Sequence, residues 1–304
     1  MKLRKLKFLQ YPTIKKVLLK LYFIAKNIYA YLICSDALYL KIEFRRKFHK
    51  KLDLNAPKTF NEKLNWLKLY DRRELYTILA DKFNVKQYVA SKIGSQYVVP
   101  NYGRWQKFDD IDFAQLPDKF VLKTTHDSGG AIVCSDKATF DCKAVSKRLK
   151  RDLRTNYYYI TREWVYKDIK PMIIADMLLD DNSGHEITDY KFWCFNGVPK
   201  VMYITNKGKN IKENFYDMDF NVIDINHGYP RRSPEYDKPH NFDLMKRLAA
   251  ELSQDIPFVR VDFFDVNGNV YFAEFTFYDW AGLKPFADPK HDELIGSWID
   301  LPIS

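Results

Sequence analysis

With 304 residues, of which 46% are hydrophobic and 16% aromatic, the chain can bury a large core, which excludes a disordered protein. Its net charge of +10 is uneven: residues 1–51 carry 14 Lys and Arg against two acids, and 52–304 carry 35 against 37. The basicity therefore belongs to the N-terminal segment and says little about the body. Cys34, Cys134, Cys142 and Cys194 show neither pairing nor metal-ligand spacing, and the six His are scattered, which points to a reducing cytosol and no zinc.

The segment 1–51 reads as one or two basic amphipathic helices. Ile14, Val17, Leu18, Leu21, Ala25, Ile28 and Leu32 keep helical spacing, with Lys15, Lys16, Lys20 and Lys26 beside them. Lys20, Lys26 and Asn27 interrupt the apolar run of 17–34, which argues against a membrane span, and no small-residue cleavage site marks a secretory signal. Two readings stand level: a helix lying on the anionic inner face of the cytoplasmic membrane, and a helix packed on the body with its lysines in water. Nucleic acid is not an expected partner, because the body adds no basic stripe.

Further on, Thr59 and Glu62 form a capping box for a helix over 60–69, followed by a second helix over 81–90 and a crossing loop at 97–103. Strands are predicted at 120–123 and 131–134, a basic helix at 143–154, and a buried strand at 171–179. A hairpin over 188–195 and 199–205 turns at Asn196-Gly197, an outward ribbon spans 216–225, and a helix spans 243–252. A last hairpin turns at Asn267-Gly268 and leads into a loop rich in Gly, Pro and Asp. Mixed strands with segregated helices give an α+β fold. The predicted units are the basic segment 1–51, a helical lobe 52–115, a lysine and lid subdomain 116–180, and a metal-binding subdomain 181–304.

Two constellations carry chemistry. Residues 120–130 (Phe-Val-Leu-Lys-Thr-Thr-His-Asp-Ser-Gly-Gly) are a strand delivering Lys123 into a small-residue loop at Ser128, Gly129 and Gly130. One fixed positive charge beside approachable backbone N–H groups suits a phosphate. The bland alternative is a lysine at a sheet edge with its head in water. In the last hairpin, Asp262 and Glu274 each stand among apolar residues; burying a charge is costly without a partner, so a shared divalent cation is expected. A plain two-residue turn would put them on opposite faces, so the cation requires a longer loop or a bulge that shifts the register by one.

These elements, in this order, resemble the ATP-grasp superfamily, and most closely its TupA-like group, over residues 52 to 302. The resemblance implies an ATP-grasp-like cleft between two α/β lobes, with ATP and Mg²⁺ as cofactors. It implies that Lys82 reaches the α-phosphate and Lys123 the α/β-phosphates, with 126–130 as a lid over them. Asp176, Met177 and Leu178 would lie on the strand holding adenine through backbone groups, where the family usually has Glu instead of Asp176. Lys191 would approach the γ-phosphate, Arg260 the phosphate or an acyl phosphate, and Asp262 and Glu274 the metal. Thr276 stands where the superfamily tends to place Asn as third ligand, with Asp279 a possible substitute.

The resemblance further implies a carboxylate–amine ligase that forms an amide on a uronic acid of a surface polysaccharide precursor. Its partners would then be a nucleotide- or lipid-linked sugar, an amino acid or other amine, and an anionic membrane surface. The rival class is a glycosyltransferase of capsule or lipopolysaccharide synthesis using Asp217-Met-Asp219, against which 209–216 reads as too polar for a buried strand. A silent binding protein is a third class, disfavoured by Lys82, Lys123, Asp262 and Glu274. Trp280, Trp298 and Tyr157–Tyr159 read as packing residues, with stacking on sugar rings as the alternative.

Overall fold

Ser35 accepts the Leu38 N–H and starts α1, Asp36–Phe48. The structure is a computed structural model that describes residues 34–181, 187–205 and 210–302; the stripe from Ile14 to Leu32 lies outside them. Helix α1 is packed on the body. Leu40 and Phe44 are buried with Leu52, and Asp36 accepts from Tyr158 Oη at 2.6 Å and Arg72 Nη2 at 2.7 Å. Lys41, Arg45 and Lys47 remain exposed on it.

Helix α2, Phe60–Tyr70, begins at the capping box: the Glu62 N–H donates to Thr59 Oγ1, and the Thr59 N–H to the Glu62 carboxylate. Helix α3, Glu74–Ala80, falls in the stretch of helical pattern between the two helices named from the sequence. Helix α4, Asn84–Ile93, starts later than predicted because Asp81 commits its carboxylate to the N–H groups of Phe83 and Asn84.

The smaller sheet has the order β1-β4-β2-β3, with β1 Asn101–Trp105, β2 Phe120–Thr124, β3 Ile132–Cys134 and β4 Ile173–Met177. Phe120, Leu122, Ile173 and Ala175 bury one face with Leu149 of α5, Cys142–Asp152. The span expected as a crossing loop thus runs into an edge strand. Its register shifts between Asn101 and Gly103, and the Trp105 ring lies where a Cβ on Gly103 would stand, so neither alternation nor composition reveals it. After the short helix α6, Tyr158–Thr161, the chain enters β4.

The larger sheet has the order β10-β9-β5-β6-β7-β8: β5 Asp189–Phe195, β6 Val198–Thr205, β7 Glu213–Tyr216, β8 Val222–Ile223, β9 Phe258–Val266 and β10 Asn269–Thr276. Successive residues of β5 face opposite ways. Phe192 therefore meets Phe242 of α7, Phe242–Leu252, while Trp193 meets Phe60 of α2. Both faces are covered.

Two sequence expectations are corrected here. The outward ribbon at 216–225 is the far edge of this sheet, and β7 is buried throughout. Its polar letters are tolerated because the returning loop partners them: Glu213 Oε1 accepts from the N–H groups of His227 and Tyr229, and Asn214 exchanges bonds with the Arg232 backbone. The C-terminal loop contains helix α8, Pro289–Gly296, capped by Asp288 and held to α2 by Asp292, which accepts from Asn61.

Candidate active site

Between the sheets lies a cleft of about 260 Å³. Its floor is built by register. Tyr203, Lys191, Asp262 and Glu274 pair in one row across β6, β5, β9 and β10, and Val201, Trp193, Arg260 and Thr276 form the next. Directly paired residues share a face, so Lys191, Arg260, Asp262, Glu274 and Thr276 all project to the same side.

The two-residue turn at Asn267-Gly268 is present, both residues in the left-handed region (φ 52° and 79°). On its own it would split the carboxylates. A bulge at Ala273 restores them: Phe272 pairs with Phe263, and Glu274 with Asp262.

The opposite wall carries lysines. Lys123 on β2 lies 3.2 Å from Asp176 Oδ2, and Lys86 on α4 lies 3.1 Å from Asp176 Oδ1. Asn101 Nδ2 also donates to Asp176. Lys123 is therefore not a solvated lysine at a sheet edge: β2 lies between β4 and β3, and Lys123 shares a nearly buried counter-ion with a second lysine. Burial pulls the Lys86 ammonium down, and Asp176 opposes the shift. Lys82 is docked by its N–H on Thr125 O, and its ammonium holds both the carboxylate and the carbonyl of Asp127 in the lid. Gly129 and Gly130 line the cleft with positive φ, and a side chain on Gly130 would strike Asp127 Oδ2 at 2.8 Å. Ser128 is exposed on the lid. Val85, Val98, Val99, Phe264 and Phe272 supply an apolar slot.

At the other end of the cleft, Arg260 is clasped by acids. Its Nε and Nη2 each lie 2.7 Å from an Asp262 oxygen, Nη2 is 2.9 Å from Glu274 Oε1, and Nη1 is 2.6 Å from Asp279 Oδ1. Burial pushes the Asp262 carboxyl up to about 7 despite the pull of Arg260 and Lys191. Lys191 Nζ is 3.1 Å from Asp189 Oδ2. Four carboxylates here face two cations.

That surplus fits a divalent cation. A guanidinium nitrogen already bridges Asp262 and Glu274, Glu274 is half open to the cleft, and Thr276 Oγ1 stands 3.4 Å from Glu274 Oε1. Among the described residues no three His, Cys, Asp or Glu converge on a metal position. A cation held here would need oxygens from a ligand or water besides those of the protein, as Mg²⁺ commonly does.

Of the sequence-predicted residues, Lys82, Lys123, Gly129, Gly130, Asp176, Asp262 and Glu274 line the one cleft, with Lys191, Arg260 and Thr276 in the rows beside it. Met177, the last residue of β4, donates its N–H to Pro100 O at 2.9 Å and Leu178 follows it; neither is among the residues that line the cleft. Asp279 is turned to Arg260 and Tyr203. Asp217 is half-buried and accepts from the N–H groups of Asp219 and Asn221 in its own turn, so its carboxylate is engaged locally, away from the cleft.

Sequence reasoning missed Lys86, Asp189 and Tyr203. Lys86 was recoverable, since it stands four residues after Lys82 in the helix predicted over 81–90. Tyr203 was hidden by a register shift after Trp193, which moves the partner of Lys191 by one residue.

Two sheets close on a cleft with lysines on one wall and paired carboxylates on the other, an arrangement consistent with the ATP-grasp architecture that the sequence resembles. The chain belongs to the TupA-like ATP-grasp family, whose model matches residues 62–300, and is an ATP-dependent ligase. Its shape is similar to that of D-alanine–D-alanine ligase from Helicobacter pylori (TM-score 0.42, 14% identity, covering 79% of this chain and 69% of that one). It is also similar to the Bacillus anthracis enzyme complexed with ATP (0.42, 15%, 80% and 82%) and to D-cycloserine synthetase DcsG (0.38, 13%, 74% and 67%). No curated protein matches the chain.

Proposed function

We propose that this chain joins a carboxylate of a uronic acid in a surface polysaccharide precursor to an amine or amino acid, using ATP and Mg²⁺. The observation that carries the ATP and Mg²⁺ part is the cleft itself, with Lys82, Lys86 and Lys123 across from the paired Asp262 and Glu274. The apolar slot takes the base. The lysines bind the phosphates, and the lid glycines let backbone N–H groups approach them. Asp262, Glu274 and Thr276 would hold the Mg²⁺, which supplies charge neutralisation on the transferring phosphoryl group.

Lys191 stands beside Asp262, where it can meet the terminal phosphate. Arg260 faces the acyl phosphate formed when the acceptor carboxylate oxygen takes the γ-phosphoryl group and ADP leaves. The amine nitrogen then bonds the acyl carbon, releasing phosphate and a proton.

The uronic acid and the polysaccharide setting come from the family's association, and an acid–amine panel tests them. Full-length protein incubated with ATP, Mg²⁺, uronic acids and amines should release ADP and phosphate only when both co-substrates are present. Thermal stabilisation by UDP-sugars but not by ATP would instead favour a glycosyltransferase.

Location at a membrane surface is part of the same proposal. Among the described residues no helix is long and apolar enough to cross a membrane, and the charge of residues 1–51 suits an anionic leaflet.

A further inference from the structure

After Asp279 the backbone does something costly. Trp280, Ala281 and Gly282 all lie in the left-handed region, with φ of 47°, 55° and 58°. Only glycine adopts it freely, so two side-chain-bearing residues in succession need an outside hold. Helix α2 provides one. Lys68 Nζ donates to Ala281 O at 2.6 Å and to Thr161 O at 3.0 Å, and Asn65 Nδ2 donates to Gly282 O at 2.7 Å. Both side chains are fully buried. Gly282 is pressed on α2, where a Cβ would stand 2.9 Å from Leu64 Cβ.

The clamp aims one side chain. Asp279 is buried, with Oδ1 on Arg260 Nη1 at 2.6 Å and on Tyr203 Oη at 3.2 Å, and Oδ2 facing His227 Nδ1 at 3.7 Å. Arg260 also donates to the Tyr203 hydroxyl at 3.1 Å, and its remaining bonds go to Asp262 and Glu274, the carboxylates assigned to the cation. A cation arriving there competes with Arg260 for the same oxygens. The guanidinium needs a second acidic partner if it is to yield them and stay in the site.

We propose that Asp279 is that partner: a positioning residue that retains Arg260 while Asp262 and Glu274 take up the cation, kept in place by the left-handed turn that Lys68 and Asn65 clamp. This role rests on the Mg²⁺ reading of the hairpin. It lies in how one side chain hands two carboxylates to a metal and does not touch the reacting atoms.

The test is calorimetric titration of ADP into the full-length chain over a range of MgCl₂, with Mn²⁺ binding followed by electron paramagnetic resonance. In Asp279→Asn, ADP affinity without divalent ion should stay near wild type, while the Mg²⁺ needed for half-maximal effect rises by about tenfold, the loss of one charge-assisted bond. Tyr203→Phe, which keeps the charges and is the gentler change, should shift it in the same direction by less. Gly282→Ala leaves the Asp279 charge intact but displaces the turn, and should reproduce the shift.

In an Arg260→Gln background, Asp279→Asn should have little further effect, because Asp279 acts through Arg260. An equal shift in both backgrounds would mean simple charge loss and overturn the proposal, as would an unshifted Asp279→Asn. A wild-type chain that binds ADP but ignores Mg²⁺ and Mn²⁺ would remove the metal reading itself.

Discussion

Lys123 and Lys86 share one carboxylate, Asp176, so each is held at the cleft with its charge only partly compensated. Lys123→Ala should weaken ATP binding by roughly 10- to 100-fold, the value of a charge-assisted bond to phosphate. Glu274→Gln should leave that affinity nearly intact and abolish the Mg²⁺ dependence of turnover; unchanged ATP affinity in Lys123→Ala would refute the lysine wall. A second titratable residue, Glu213, governs stability in place of chemistry. Burial pushes its carboxyl up to about 7, although its Oε1 accepts two backbone N–H bonds. The folded chain therefore keeps a proton that the unfolded chain releases near 4.5, and stability falls as pH rises between those values. Glu213→Gln cannot lose charge in this way. It should raise the melting temperature at pH 8 and change it little at pH 4, with the gain at pH 8 on the order of 2–3 kcal/mol. Equal melting shifts at both pH values would contradict the assignment.

Among the elements, the last hairpin shows how far a sequence can be read. Alternation and the Asn-Gly turn made both strands legible, and counting from the turn exposed a conflict: either the loop is odd or a bulge intervenes. It could not say which, because a bulge at Ala273 has no composition of its own and is set by how Phe272 and Phe275 pack. The capping box at Thr59 and Glu62 was legible for the opposite reason, since its bonds are local. Strand β7 was not, since its buried Glu213 and Asn214 are satisfied by a loop more than ten residues away. Helix α8 carried a readable signal in Asp288-Pro289, cap and first turn, lost among loop-forming neighbours. Gly268→Ala tests the turn: open space surrounds the position (φ 79°), so the cost is backbone strain alone, about 1–2 kcal/mol in denaturant unfolding. In α1, Phe44→Ala should cost about 3–5 kcal/mol, since Phe44 is buried against the body and leaves a cavity. A variant as stable as wild type would mean that the helix is not docked.

For the whole molecule, the described part of the basic segment, from residue 34, is not separate from the ligase body. Because α1 is packed through Asp36, Leu40 and Phe44, a chain cut at Leu52 should unfold at lower temperature, whereas liposome sedimentation tests the charge proper. The full chain should sediment with anionic vesicles at low salt and be released at high salt, and removing residues 1–33 should abolish binding; salt-insensitive sedimentation would refute an electrostatic surface contact. The clasp around Arg260 has a different consequence at this scale. Many metal sites are left with naked, mutually repelling ligands when the ion departs, and the fold goes with it. Here the polypeptide supplies a resident guanidinium for its own carboxylates. The newly made chain can thus complete its architecture in a cell poor in free ion, and chelator should leave its melting temperature unmoved. Arg260→Met reverses that independence: stripped of its internal cation the buried acids should cost about 3–5 kcal/mol in chelator, and Mg²⁺, dispensable for folding in the parent, becomes part of what keeps the variant folded.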